Sequence, residues 1–217
     1  MNGILRRRRA LMGAGETEKG LPATYQEVEY IQSSGSYCLI PTQFYFQLND
    51  AVSFKASSAT ANAKNRCFFS TGANTDNCCY ICWYGNSAYC NWCSQGGNNR
   101  VGSTSWASSS PYIFNFENGT ITCTKESDPT VVYSRAYPTY TGVPETPLAL
   151  MGNPATTGIG MQGRMYTFSV KRNGKKVFNA VPCYRKSDNV IGMFDTVSQT
   201  FLTNTGTGTL TKGADVA

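Results

Sequence analysis

Five of the nine cysteines fall within residues 77–93, and this cluster is the densest set of reactive side chains in the sequence. The pairs Cys79-x-x-Cys82 and Cys90-x-x-Cys93 have the spacing of a four-thiolate zinc site. However, only seven residues separate the two pairs, and Tyr, Ile and Trp flank them where metal-binding turns use small residues. We therefore expect no metal ion here.

Two other interpretations of these thiols stay open beside a zinc site. On a hairpin with a three-residue loop at residues 85–87, Cys82 would lie opposite Cys90 and Cys79 opposite Cys93, so disulfides could form. In a reducing cytoplasm the thiols would stay free and pack as small apolar groups. Packing thiols are the favoured interpretation, ahead of disulfides and zinc.

Aromatic side chains are interleaved with these cysteines in the least charged part of the chain. Exposed rings can stack on the apolar C–H face of a sugar, and nearby amides can bond its hydroxyls. Because successive strand residues point to opposite faces, about half of the rings would belong to the core. Burial in the core or in a subunit interface is the favoured interpretation of these rings, and glycan contact is the alternative. The candidate glycan-binding residues are Trp83, Tyr84, Tyr89, Trp92 and Trp106.

The absence of histidine excludes whole classes of catalysis. Without an imidazole the chain has no Ser-His or Cys-His nucleophile and no zinc site that needs imidazole. An enzyme built from this sequence would have to use carboxylates or cysteine.

Positive charge is concentrated at the N-terminus, although the net charge of the chain is only +6. The apolar stretch after the arginines is too short for a secretory signal, and no run is long enough to span a membrane. If helical, this arm would carry an apolar stripe flanked by arginines, which is typical of a segment that docks onto a partner. The partner-docking residues are Ile4, Leu5, Arg6, Arg7, Arg8, Arg9, Leu11 and Met12.

A second basic excess lies near the C-terminal end. It could meet phosphate, but a solvated hairpin tip is the favoured interpretation. Its members are Lys171, Arg172, Lys175, Lys176, Arg185 and Lys186.

The elements that must position these residues are short strands separated by turn signals. Asn118-Gly119 and Asn173-Gly174 are the strongest hairpin signals, and each predicts a two-residue turn. Outside the arm no stretch keeps a helical apolar period for three turns, so the pattern predicts a β-sandwich or barrel. The expected cross-strand pairs are Phe116 with Ile121, Phe114 with Cys123, Val170 with Val177 and Tyr166 with Val181.

Two segments at opposite ends of the chain, residues 21–42 and 165–210, carry a family resemblance. They resemble the opening and closing of the concanavalin A-like (laminin-G-like) jelly-roll domains of gut bacteria and their phages. The chain departs from that pattern at Ile40-Pro41, where the family has Ile-Asp, so no role of that aspartate is carried over. The matching residues are Leu21, Pro22, Tyr25, Val28, Glu29, Tyr30, Ile31, Ser33, Gly35, Thr42, Asn173, Gly174, Val181, Pro182, Cys183, Gly192, Asp195, Asn204, Gly206, Thr207 and Gly208.

The resemblance implies an all-β fold, a two-sheet antiparallel jelly-roll sandwich with a short N-terminal basic arm. Residues 1–20 would be an anchoring arm and linker, and residues 21–217 the jelly-roll domain. We expect a bacteriophage virion protein (a head fibre, decoration or tail component), made and assembled in the host cytoplasm. Other virion proteins would be its partners, with a homo-oligomer and a cell-surface or mucosal glycan also expected, and no nucleic acid. The alternative is a bacterial carbohydrate-binding adhesin.

The same fold also hosts glucanases, which carry a Glu-x-Asp-x-x-Glu motif on one strand. The nearest approach here is Glu126-Ser-Asp128, with Val131 in place of the second glutamate and Pro129 interrupting the strand. We interpret this segment as a loop, and expect no enzymatic activity and no cofactor.

Overall fold

A computed structural model describes residues 20–33, 37–58, 66–72, 79–84, 87–92, 99–101, 110–136, 142–155 and 160–217 of the chain, with the backbone alone for 66, 79–84, 87–92, 99–101 and 131–132. The predicted docking residues of the arm lie outside this described part. The strands are β1 (Tyr25–Glu27), β2 (Ile31–Ser33), β3 (Ile40–Pro41), β4 (Ala51–Ser58), β5 (Arg66–Ser70), β6 (Cys79–Tyr84), β7 (Ser87–Trp92), β8 (Asn99–Val101), β9 (Tyr112–Glu117), β10 (Thr120–Lys125), β11 (Asp128–Ala136), β12 (Ala149–Leu150), β13 (Gly163–Arg172), β14 (Lys175–Arg185), β15 (Ile191–Asp195), β16 (Thr200–Thr203) and β17 (Leu210–Lys212).

The strands form two sheets in which every described pairing is antiparallel. The larger sheet has eleven strands, with β11-β10-β9-β4-β13-β14-β15-β16 as its main order; β1 pairs with β14, and β2 pairs with both β13 and β17. The smaller sheet has the order β3-β12-β5-β6-β7-β8. No helix occurs among the described residues, and none of them therefore forms a helix that could cross a membrane. The predicted all-β, two-sheet architecture is confirmed.

A cluster of phenylalanines joins the two sheets. Phe54 of the larger sheet stacks on Phe114 with ring centroids 4.5 Å apart, and it meets Phe69 of the smaller sheet edge-on at 5.6 Å. Phe69 also contacts Phe168 at 5.2 Å. All four are at most 1% exposed. Phe54, Phe114 and Phe168 lie on strands whose burial alternates along much of their length, which gives the larger sheet one apolar face.

Both predicted Asn-Gly turns are present. Asn118 and Gly119 have φ of 51° and 72°, and Asn173 and Gly174 have 51° and 79°, as a type I′ turn requires. In the first hairpin the expected pairs of Phe116 with Ile121 and Phe114 with Cys123 are confirmed.

The expected register of the second hairpin is wrong. A β-bulge next to Val170 shifts the pairing, so that Val170 lies opposite Phe178 and Phe168 opposite Ala180. The expected pairs of Val170 with Val177 and Tyr166 with Val181 therefore do not form. The bulge brings Phe178, which is 2% exposed, into the core, while Val177 is only partly buried.

The two ends of the chain lie together in the larger sheet. Strand β17 pairs with β2, and Val28 forms a bridge with Asp215. The Asn204 side chain accepts from the Leu39 N–H at 2.9 Å and donates to the Gly208 carbonyl at 2.6 Å, which ties the last loop to the first strands. A Cβ at Gly206 would lie 2.3 Å from the Tyr37 carbonyl oxygen, so only glycine fits there. The terminal motifs are thus structural.

Candidate functional site

The predicted glycan-binding aromatics fall on the β6–β7 hairpin of the smaller sheet. Trp83 pairs with Ala88, Cys82 with Tyr89, and Cys79 with Trp92. For Trp83, Tyr84, Tyr89 and Trp92 the structure describes the backbone alone, and Trp106 lies outside the described residues.

The backbone register separates the tryptophans from the tyrosines. Ile81 lies opposite both Cys90 and the core residue Phe69, so these positions share the core face of the sheet. Trp83 is two residues from Ile81 and Trp92 is two residues from Cys90, which places both tryptophans on that face. The positions on the opposite face include Tyr84 and Tyr89.

The face of the smaller sheet that carries Tyr84 and Tyr89 is covered along part of its length. At β5 it includes Cys67, opposite Cys82, and Ser70, opposite Tyr80. Both Cys67 and Ser70 are 0% exposed, so another part of the chain covers the face at β5. A ligand on this face would meet β6 and β7 on the side toward β8.

The expected cysteine register of this hairpin is wrong by one residue. The loop holds residues 85 and 86, so Tyr89 lies opposite Cys82 and Trp92 lies opposite Cys79. Cys90 lies opposite Ile81 instead of Cys82, and Cys93 lies outside the described residues. With this register neither Cys79 nor Cys82 lies opposite a cysteine of β7, so the expected cross-strand disulfide pairs do not form.

The cysteines whose side chains are described are buried thiols. Cys38, Cys67, Cys123 and Cys183 are all buried, and none of the four forms a disulfide. Burial raises the pKa of Cys123, and burial together with the nearby Glu27 raises the pKa of Cys183 to about 12. Burial also raises the pKa of Cys38, so the thiols of Cys38, Cys123 and Cys183 stay protonated at neutral pH. Among the described residues, no three Cys, Asp or Glu side chains are grouped as a metal site would need.

A cleft that the sequence did not indicate lies where the edges of the two sheets meet. Strand β3 of the smaller sheet lies beside β16 of the larger one, and between them is a cavity of about 330 Å³ lined by residues from segments 41–44, 177–178 and 195–202. We call it the seam cleft. Its residues are up to 161 positions apart, so no local motif could have revealed it.

The carboxylate of Asp195 lies at the wall of the seam cleft and is fully occupied. Its Oδ1 accepts from the N–H groups of Asn179 at 2.9 Å and Val197 at 3.1 Å. Its Oδ2 accepts from the N–H and hydroxyl of Ser198 at 3.3 and 2.5 Å. Four donors satisfy the carboxylate, so Asp195 stabilises the turn between β15 and β16 and leaves no oxygen for acid–base work.

A second depression of about 370 Å³ lies among three neighbouring turns, at 49–51, 117–119 and 171–174. We call it the turn-tip depression. Asp50 in its wall is 2% exposed. Its two oxygens accept from Arg172 Nε and Nη2, each at 2.8 Å, and one also accepts from the Gln47 N–H. Hydrogen bonding to Asp50 raises the pKa of Arg172 above its ordinary value.

The C-terminal basic excess is partly neutralised by ion pairs. Arg172 is held by Asp50, and Arg185 forms an ion pair with Asp188 at 2.6 Å. The charges of Arg172 and Arg185 are thus compensated locally, which supports a solvated surface over a phosphate site.

The acidic segment at residues 126–128 does not form a glucanase motif. Glu126 lies in the turn after β10 and forms an ion pair with Lys55. Asp128 begins β11, and hydrogen bonds from Thr130 lower its pKa. The expectation of a loop is wrong from Asp128 onward, because β11 is the last strand of the sheet's main order, where a proline such as Pro129 costs no central hydrogen bond.

Comparisons with known proteins identify the fold. No protein-family model and no curated protein matches the chain. A solved structure of mouse laminin α1 domains LG4-5 is 11% identical (TM-score 0.44; 77% of this chain and 46% of that one). A candidate carbohydrate-binding protein from Bacteroides ovatus is 9% identical (TM-score 0.55; 88% and 62%). A heptameric SAP-like pentraxin from Limulus polyphemus is 7% identical (TM-score 0.53; 87% and 96%).

The chain spans less than two thirds of the first two of these structures. The B. ovatus and Limulus proteins have concanavalin A-like jelly rolls, and at these identities the likeness establishes a shared fold alone. The predicted jelly-roll fold is confirmed.

Proposed function

We propose that this chain is a non-enzymatic carbohydrate-binding jelly-roll module displayed on a bacteriophage virion. Residues 21–217 would face outward, and the arm of residues 1–20 would attach them to the head or tail. The virion role is supported by the family resemblance of both chain ends and by the four consecutive arginines of the arm. Assembly would take place in the host cytoplasm.

One observation carries the carbohydrate class. The β6–β7 register assigns Tyr84 and Tyr89 to the same face of the smaller sheet, on the side away from Phe69 and the core. Tyrosine is a residue type whose ring stacks on sugar rings, and two tyrosines are neighbours on this face. The B. ovatus protein with the same fold is itself named for carbohydrate binding, which supports the proposal.

Binding without hydrolysis is supported by the state of the buried acids. Glycoside hydrolysis needs two carboxyl groups that can protonate or attack a substrate. The two described carboxylates that are most buried are those of Asp50 and Asp195. Asp50 already accepts hydrogen bonds from Arg172, and Asp195 from three N–H groups and one hydroxyl.

The binding function is tested by glycan-array screening of the full chain and of a Tyr84→Ala/Tyr89→Ala variant. The matched control is Tyr45→Ala, which removes a tyrosine that is 48% exposed and lies before β4. We expect the double variant to lose at least ten-fold in signal and the control to lose none. Equal binding by all three proteins, or no binding by the full chain, would refute the proposal.

The virion role has a separate test. Deleting residues 1–14 should abolish incorporation of an otherwise folded protein into particles. Replacing Arg6 to Arg9 by serine separates charge from the apolar contribution of Ile4, Leu5, Leu11 and Met12. Normal incorporation of the deletion variant would remove the anchoring role, and would leave the bacterial adhesin, favoured by the fold shared with the B. ovatus protein, as the second candidate.

A further inference from the structure

The seam cleft occupies the gap between two sheet edges that do not pair with each other. In the described part of the chain β3 pairs with β12 alone and β16 pairs with β15 alone. The two edges lie side by side, yet a space of about 330 Å³ remains between them. This volume lies in the range of pockets that hold small ligands, about 300–1,000 Å³.

The floor of the seam cleft is apolar and aromatic. Phe178 and Leu202 are almost completely buried, at 2% and 8% exposed, and Phe44 and Val177 are partly exposed. The Phe44 ring lies 5.2 Å from that of Phe178 and 5.5 Å from that of Phe46. The guanidinium carbon of Arg172 also lies 5.6 Å from the centroid of the Phe44 ring. These contacts fix the ring, so the part that stays exposed offers a rigid apolar surface to a ligand.

The rim carries uncharged polar groups that the protein itself scarcely uses. Gln43 is exposed, and its amide makes no hydrogen bond to another described residue. The Thr200 hydroxyl is exposed and reaches only the Ser198 carbonyl, at 3.4 Å. An incoming hydroxyl could replace that long contact at little cost.

The charge in the wall selects against acidic ligands. The Asp195 carboxylate is buried, and the donors that it accepts from are amides and a hydroxyl, with no described cation among them. Its negative charge therefore repels a carboxylate or sulfate in the cleft. Because its four acceptor positions are already used, it offers no oxygen to a metal ion.

We propose that the seam cleft is a binding site for a neutral saccharide. The ligand would lay the apolar face of one ring on Phe44 and Val177, and direct its hydroxyls to Gln43 and Thr200. The ligand class rests on the carbohydrate-binding function proposed above, but the site is separate from the β6–β7 hairpin.

The test measures binding of lactose, cellobiose, maltose and sialyllactose to the full chain by NMR titration. The site variants are Thr200→Val and Gln43→Leu. Thr211→Val is the matched control, because the Thr211 hydroxyl is also exposed and makes the same 3.4 Å contact to a carbonyl, that of Gln32. We expect at least one neutral disaccharide to bind, with affinity at least ten-fold lower in the double site variant and unchanged in the control.

The hairpin variant Tyr84→Ala/Tyr89→Ala separates this inference from the proposed function. Neutral-sugar binding that it leaves intact and the seam variants abolish supports the seam cleft. Binding that is lost in the hairpin variant but kept in the seam variants overturns the seam site and leaves the proposed function standing. Preferential binding of sialyllactose in the cleft also overturns the inference. If neither the disaccharides nor arrayed glycans bind, both proposals fail.

Discussion

Asp50 and Asp195 are two buried carboxylates that each line a cavity of similar volume, yet they are satisfied in different ways. Asp50, at the turn-tip depression, is neutralised by the guanidinium of Arg172. Asp195, at the seam cleft, is surrounded by three N–H groups and one hydroxyl. The first arrangement is an ion pair between residues 122 positions apart, and the second combines the turn after β15 with one N–H group of the neighbouring strand β14.

The difference shows that burial of an acid beside a cavity does not indicate catalysis. What decides its chemistry is whether its oxygens have a lone pair left for a substrate. In both places the protein's own donors take the oxygens, but only Asp50 has a cation among the donors that are described. The two cavities should therefore differ in the ligands that they accept and in their response to mutation.

The largest effect is expected for the floor of the seam cleft. Phe178→Ala removes a ring that is 2% exposed and contacts Phe168 and Phe44. We expect a loss of about 4 kcal/mol in the free energy of unfolding, from lost burial and the cavity left behind. Urea denaturation measures it, with Val177→Ala on the partly exposed neighbouring position as the control. A loss below about 1 kcal/mol would contradict the position of Phe178 in the core.

Asp195→Ala tests the carboxylate that has no cation. It leaves four donors without their acceptor, so we expect the free energy of unfolding to fall by about 3 kcal/mol. Asp195→Asn keeps one acceptor oxygen and should lose about half as much. Because no ion pair is involved, the loss should be the same at low and high salt. A strongly salt-dependent loss would show that Asp195 interacts with a cation, and would contradict this description of its environment.

Arg172→Ala tests the other carboxylate. It leaves Asp50 buried without its counter-charge, and we expect a loss of about 2 kcal/mol. This is less than for a fully buried pair, because a quarter of the Arg172 side chain is exposed. The variant Asp50→Asn/Arg172→Met should recover part of the loss, as both charges are then absent. If the double variant is as unstable as Arg172→Ala, the ion pair is not what stabilises this end of the sheet.

The smallest effect concerns pH and the exposed aspartates. Hydrogen bonds from Arg185 and Lys212 hold the pKa of Asp188 and Asp215, respectively, below their ordinary value near 3.8. A lowered pKa in the folded state gives stability that is present above pH 3.8 and lost as the pH falls through the lower value. The measurement is urea denaturation of wild type and of Asp188→Asn/Asp215→Asn between pH 2 and 6. As the pH falls, we expect the free energy of unfolding to decrease slightly less in the variant than in wild type. An identical pH profile would contradict these pairs.

Much of the fold could be predicted because its signals are local. A two-residue type I′ turn requires positive φ at both positions, which Asn118-Gly119 and Asn173-Gly174 adopt readily. Two glycines of the terminal motifs, Gly192 and Gly206, are needed for close backbone approach. At Gly192, for example, a Cβ would lie 2.2 Å from the Leu202 carbonyl oxygen.

What could not be predicted depends on residues distant in sequence. The turn at Asn173-Gly174 sets the first two pairs of its hairpin, but the bulge beside Val170 is decided by how Phe178 packs against the core. The β6–β7 register differs by one residue from the expected one, because the loop between these strands is one residue shorter than expected. The seam cleft has no sequence signature, since its floor and rim come from three separate segments.

The proposed function is that this jelly roll binds carbohydrate and does not hydrolyse it. The most direct measurement incubates the full chain with a glycan that it binds on the array, then quantifies both bound glycan and newly formed reducing ends. We expect saturable binding, recovery of the intact glycan, and loss of binding in the Tyr84→Ala/Tyr89→Ala variant. Release of reducing ends that grows with time and protein concentration would contradict it.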